Sequence, residues 1–333
     1  MTGACADKAG GVRRVAVIDI GTVTVRLAVA DVGPHSAADV LRRHRIVQLG
    51  EGVATTHRLS AAALGRADAV LGEYCRILDK LAAEGAPAQK VSVLATSAAR
   101  DAENVGELVR LLDAHGLSLS VIPGTLEAQL SFAGAVADFP GANLLVSDVG
   151  GGSTELAFGD AAPDSLPAVR CSQSIDIGAR RITDLFLAAE PSATDQLARA
   201  QAWAHEQLAP FFSRLPQAPS RLIATAGTAT TLVAIRDRLV PYDDARVHGA
   251  TLTLSELDRL LECLAGMTRA DRERVAGLEP KRAGVIVGGA LVQREVLRCC
   301  GVDACTVSTR ALLDGMLRES YNQLERPAAA SLS

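Results

Sequence analysis

The chain carries one short pattern twice. Residues 15–31 read VAVIDIGTVTVRLAVAD and residues 144–160 read LLVSDVGGGSTELAFGD, and the two align without a gap. Val17 falls on Val146, Asp19 on Asp148, Gly21 on Gly150, Leu27 on Leu156, Ala28 on Ala157 and Asp31 on Asp160. Each copy is an apolar run of strand length, an aspartate, a glycine-bearing turn and a second apolar run, the pattern of a hairpin with a functional tip. Glycines directly after a strand free backbone N–H groups to point into a concavity, and such concavities bind anions, phosphate above all. For one copy alone, a plain hairpin whose glycines merely permit positive φ competes with this reading. The second copy favours a duplicated domain with an acidic, phosphate-handling loop in each half. Facing loops can close on a chain of phosphates from both sides.

At 333 residues the chain exceeds a usual single domain, so two domains are expected. Apolar content of 48% with 3% aromatics implies a core of Val, Leu, Ile and Ala, which suits α/β layers. The net charge is −4 and no long basic block exists, which argues against nucleic acid as a partner. A polyanionic substrate must then be held by local arginines and loop amides against a mildly unfavourable field. The seven cysteines are odd in number, form no CxxC and match neither a zinc site nor a disulfide framework. The six histidines are scattered without ligand spacing and read as structural or exposed. No run approaches the ~18 apolar residues of a membrane span, and no apolar segment precedes Cys5 to make a signal peptide. No membrane partner and a cytoplasmic location are expected.

In chain order, a hairpin over Val15–Ala30 is followed by a strand near 41–49 and by a helix capped by Ser60 that runs to about Ala83. Strands at Val91–Leu94 and Leu117–Ile122 follow, and Pro123-Gly124 opens the helix that carries Glu127. Ala168–Ile175 is the return strand of the second hairpin, with helices near 179–187 and 192–215 after it. A strand at Leu222–Ala226 feeds Gly227–Thr231 at a helix start, suited to phosphate or to ordinary helix initiation. The remainder reads as helical, broken at Val285–Ala290 and by a short strand at Ala304–Val307. The expected domains are 12–129 and 130–320, with flexible ends at 1–11 and 327–333.

Together with LATSAARDAEN, VIPGTLEAQLSFAGA, IDIGARRIT, ATAGTAT, KRAGVIVGGALV and VSTRALLDGML, the two hairpins carry a resemblance over about Val15–Leu317. The chain resembles the exopolyphosphatase / guanosine pentaphosphate phosphohydrolase family of the actin-like superfamily. The resemblance implies duplicated actin-like (ribonuclease H-like) α/β domains with the active site in the cleft between them. It further implies release of terminal phosphate from inorganic polyphosphate, or of the 5′-phosphate from guanosine pentaphosphate, with Mg²⁺ or Mn²⁺. Glu127 matches the family's general base, which activates the attacking water. Asp148 and Glu155 match the acidic residues that serve the metal and the nucleophile. Gly150, Gly151, Gly152 and Ser153 match one phosphate cradle, and Asp19, Gly21, Thr22 and Thr24 the opposing one. Arg100 matches a basic residue suited to substrate phosphate, and Arg181 an arginine without an assigned role. The first loop reads Thr22-Val23-Thr24 where the family usually has Ser-Asn-Ser. If that loop faces the glycine loop, Val23 points near a phosphate without bonding it.

The residue chemistry agrees with that implication. Phosphoryl transfer to water needs positioning and neutralisation of oxygens more than covalent chemistry. No Gly-Lys pair exists for a Walker A loop, and GGGST is not a nucleophile elbow. Two alternatives remain: a catalytically weak regulatory protein that binds polyphosphate or an alarmone, and an actin-like sugar kinase, which leaves Glu127 without a purpose. A homodimer is compatible with either. Simple strand alternation makes Arg26 a solvated hairpin residue. Arg100 also suits a surface helix cap, and Lys281-Arg282 a solvated pair.

Overall fold

The computed structural model describes residues 11–163 and 165–326; the flexible ends expected at 1–11 and 327–333 lie outside the described residues, Gly11 excepted, as does Cys5. The first sheet begins with β1 (Arg13–Ile20), β2 (Thr24–Gly33) and β3 (Ser36–Ile46), an antiparallel meander. β4 (Lys90–Ala95) runs parallel to β1 and β5 (Leu119–Val121) parallel to β4. The strand order is β3-β2-β1-β4-β5. The second sheet repeats the meander with β6 (Gly141–Val149), β7 (Thr154–Ala161) and β8 (Ala168–Ile175). β9 (Arg221–Thr225) joins β6 in parallel. β10 (Thr251–Thr253) caps the edge antiparallel to β11 (Ala304–Val307), which is parallel to β9. Its order is β10-β11-β9-β6-β7-β8. Read from the meander, both sheets follow the same path, and β10 is the one addition. This is the duplicated actin-like α/β architecture.

The sequence explains most of this directly. Val15–Ile20 is buried at every residue, as a central strand covered on both faces must be. β3 is an exposed edge laden with Asp39, Arg42, Arg43, His44 and Arg45, charges that discourage pairing with another chain. It runs Ser36–Ile46 rather than near 41–49, because pairing along β2 sets its length. Ser60 Oγ accepts from Ala63 N–H at 3.2 Å and starts the helix Ala61–Ala83. Val285–Ala290 is the start of a helix: Val285 is the N-cap of Ile286–Cys300, which takes in both glycines. A Cβ on Gly288 would sit 2.5 Å from Ala179 O, and one on Gly289 2.9 Å from a Thr228 methyl, so these glycines serve close helix packing.

Two helices cross between the halves. Gly124–Ala135 follows β5 but sends Ala128, Phe132 and Ala135 into the core on the second sheet, against Val146, Ala157 and Ile223. Leu312–Glu325 follows β11 but returns to the first sheet, where Leu312, Leu313, Leu317 and Tyr321 cover Val15, Val17, Ala28 and Ala30. The boundary expected at 129/130 therefore falls inside a helix, and the last helix of the expected second domain completes the first. Among the described residues, no helix is long and apolar enough to cross a membrane.

Candidate active site

The two hairpin tips meet. Gly21 N–H donates to Thr24 O and Gly150 N–H to Ser153 O, both at 3.0 Å, so the tips share one backbone geometry. Among the described residues, the amides of Thr22, Val23, Gly151, Gly152 and Ser153 donate to no protein group and remain available to a ligand. A Cβ on Gly151 would lie 2.7 Å from Val23 Cγ2, and one on Gly152 2.4 Å from Ser97 Oγ. None of Gly150, Gly151 and Gly152 lies in the left-handed region. Close approach of the opposite loop, not positive φ, is what demands glycine here, so the plain positive-φ hairpin is excluded. Val23 is buried against Gly151, and its methyls fill the contact between the tips.

Behind the tips, the registers pair Asp19 with Arg26 and Asp148 with Glu155. Residues directly opposite on antiparallel strands share a face, so each hairpin aims two charged groups the same way. Arg26 is not solvated: its Nε and Nη2 lie 2.8 and 2.6 Å from Oδ2 of the fully buried Asp19. Asp148 Oδ2 accepts from Ser131 Oγ, and Glu155 Oε1 from Ser174 Oγ, both at 2.7 Å. Glu127 sits in the first turn of its helix. A Cβ on Gly124 would fall 2.3 Å from Ser174 Cβ, so glycine lets that helix start dock on β8 and carry Glu127 inward. Arg100 Nη1 donates to Glu127 Oε2 at 2.7 Å and to Ile122 O at 3.1 Å, while Nη2 donates to Ser153 Oγ at 3.4 Å. Its guanidinium is turned into the carboxylate cluster, so it is not a surface cap.

Asp19, Glu127, Asp148 and Glu155 are each 7% exposed or less and share two guanidinium groups, those of Arg26 and Arg100. Burial pushes Glu127 up to about 7, with Asp148 and Asp19 adding to the rise and Arg100 opposing it. Burial also raises Asp148, against the pull of Arg26, and raises Glu155 well above the usual range, helped by Glu127 and Asp148. Asp19 Oδ1 is buried and has no hydrogen-bond partner among the described residues. Four carboxylates against two guanidinium groups leave the cluster short of positive charge. An all-oxygen, anionic donor set of this kind fits a hard divalent cation.

The model of the Ppx/GppA phosphatase family matches residues 28–324. The chain belongs to this family. It is 38% identical over 320 residues to exopolyphosphatase 2 of Mycobacterium tuberculosis, covering 91% of this chain and 97% of that one. A solved exopolyphosphatase-like protein superposes with a TM-score of 0.86 at 33% identity, over 94% of this chain and 99% of the other. An exopolyphosphatase from Cytophaga hutchinsonii superposes at 0.83 with 28% identity, over 93% and 98% of the respective chains.

In this Ppx/GppA chain three further residues join the cleft. Arg181, which the sequence leaves without a role, donates through Nε to Gly152 O at 2.8 Å and through Nη2 to Asp101 of the other half. It braces the glycine loop across the cleft. Arg282 is no solvated residue either: its side chain is 17% exposed and its Nη2 donates to Thr24 Oγ1 at 3.3 Å. A Cβ on Gly227 would lie 2.5 Å from Arg282 Nη1, so the helix start at Gly227 is a seat for that guanidinium. Ser174 also escapes sequence reading, because only the β7–β8 register places it beside Glu155. A separate concavity of about 480 Å³ along residues 238–246 holds none of these groups.

Proposed function

We propose that this protein removes the terminal phosphate of inorganic polyphosphate, with a divalent cation held by Asp148 and Glu155. The observation that supports this most is the meeting of two amide-bearing tips over one buried acidic cluster that contains Glu127. The unpaired amides and the Arg100 guanidinium suit phosphate oxygens. Mg²⁺ or Mn²⁺ bound at Asp148 and Glu155 would supply the charge neutralisation that the cluster lacks. Glu127, with a pKa of about 7, is poised to hold the proton of a water that attacks the terminal phosphorus. The P–O bond to the bridging oxygen then breaks, and the shortened chain departs with the electron pair. The same cleavage would release the 5′-phosphate of guanosine pentaphosphate, the second substrate we propose.

Phosphate release measured on polyphosphates of graded length and on guanosine pentaphosphate, with Mg²⁺, with Mn²⁺ and with chelator, tests this. Release that chelator abolishes is expected. Tight binding of polyphosphate with no release under any metal would overturn the hydrolase reading in favour of a regulatory binder.

A further inference from the structure

Away from the cleft, the helices Thr194–Phe212 and Ile286–Cys300 pack against each other and bring His205, Glu295 and Cys299 together. His205 Nδ1 lies 2.7 Å from Glu295 Oε1, and Cys299 Sγ lies 3.5 Å from that nitrogen and 3.8 Å from that oxygen. Glu295 and Cys299 are one turn apart on one helix face, and His205 comes from the facing helix. We propose that these three side chains bind a zinc ion, or another divalent cation of similar softness.

The donor set is one imidazole, one thiol and one carboxylate, a borderline mixture that zinc favours and magnesium does not. Zinc bonds of ~2.0–2.3 Å arranged tetrahedrally put neighbouring donors about 3.3–3.7 Å apart. The two edges that involve sulfur are already close to that length, and the third needs only a small opening. Glu295 is 1% exposed and, among the described residues, its Oε2 has no hydrogen-bond partner, although Arg298 Nε stands 3.8 Å away. A buried carboxylate with an unpartnered oxygen calls for compensating charge. A divalent cation with one thiolate, one carboxylate and one neutral imidazole sums to zero. Cation binding would displace the thiol proton of Cys299, since the thiolate is the ligand. The His205 side chain is 60% exposed, which gives access from solvent and leaves a fourth position for water. Sequence spacing hides the set because His205 and Cys299 stand 94 residues apart. This inference does not depend on the proposed hydrolase activity.

The test is titration of the metal-free, full-length protein with Co²⁺ as a spectroscopic probe, followed by Zn²⁺. One equivalent of Co²⁺ should give a thiolate-to-cobalt charge-transfer band and the intense visible bands of tetrahedral coordination, and Zn²⁺ should displace them. The carboxylate cleft contains no sulfur and gives no such band. Cys299→Ser should abolish the band, and His205→Ala should weaken Zn²⁺ binding at least tenfold. Cys300→Ser should leave both intact, and phosphate release with Mg²⁺ should be unchanged in all three variants. If Cys299→Ser fails to fold, His205→Ala at its exposed position carries the test. A wild type without the band, a band that requires Cys300 rather than Cys299, or unchanged Zn²⁺ affinity in His205→Ala would overturn the site.

Discussion

Glu127 is held in a place that disfavours its charge, and the same place suits it to accept a proton. Its carboxyl titrates near 4.5 when unperturbed and near about 7 in the fold. Between those values the folded state keeps a proton that the unfolded state has lost, so stability falls as pH rises through that window. Glu127→Gln is neutral at every pH and should melt above the wild type at pH 8, with the gap closing towards pH 5. Its kcat should fall by ~10²–10⁴, and calorimetry with kinetics on one preparation checks both. In the wild type, kcat/KM should rise with pH through an apparent pKa of about 7. Arg26 is bonded to Asp19 in the same acidic cluster, and its loss strips Asp19 of its partner. Breaking a buried pair costs about 3–5 kcal/mol; Arg26→Met should approach the lower figure because its side chain is 26% exposed. Urea unfolding that shows under about 1 kcal/mol would restore the solvated reading. Asp148 and Asp19 are legible in the sequence because each stands at a fixed offset from a glycine turn, whereas Glu127 is reached only through the family resemblance of its helix opening. Arg26 is not, since alternation along β2 says nothing of what covers that face. Its bonded partner Asp19 stands on the paired strand, while the further charges that act on it, Asp148 and Glu127, come from elements far along the chain.

At the scale of elements, the facing tips make a test that separates close approach from backbone strain. Gly151→Ala places a Cβ 2.7 Å from Val23 Cγ2 with no positive φ to violate. Overpacking of this kind costs about 1–3 kcal/mol, and phosphate affinity should fall with it as the tips are pushed apart. Val23→Ala removes the nearest obstacle, so the double variant should recover part of both losses, with a coupling of at least about 0.5 kcal/mol. Purely additive effects on melting and binding would show that the two loops do not touch. The hairpins themselves are legible because period-2 patterning and a repeated turn agree with each other. β3 is less so, since its charged edge carries little hydrophobic signal and only its register on β2 defines it. Gly288-Gly289 misleads for the opposite reason. Glycine usually interrupts a helix, but here it admits a neighbouring helix at backbone distance.

Across the whole molecule, side chains tie one half to the other. Arg181 joins Gly152 to Asp101, Gln48 Nε2 donates to Lys281 O at 2.9 Å, and Gly52 N–H donates to Asp184 at 3.1 Å. Arg181→Ala should let the halves part, so substrate must close them at the expense of affinity. We expect KM to rise about tenfold, roughly 1.4 kcal/mol, with kcat nearly kept and a larger radius in solution scattering. A fall in kcat at unchanged KM and unchanged radius would remove Arg181 from this bracing role. The two-sheet plan follows from the repeated hairpin, but the exchange of helices does not, because amphipathic patterning shows that a face is buried without naming the sheet that buries it. That exchange has a practical consequence. A cut between Val136 and Gly141 yields one piece holding the helix that covers the other's sheet, and the reverse. Each fragment alone would expose a broad apolar face, while the pair would cover both, as in a handshake. Co-expressed fragments should therefore reassemble into a split protein whose recovered phosphate release reports that its two pieces have met.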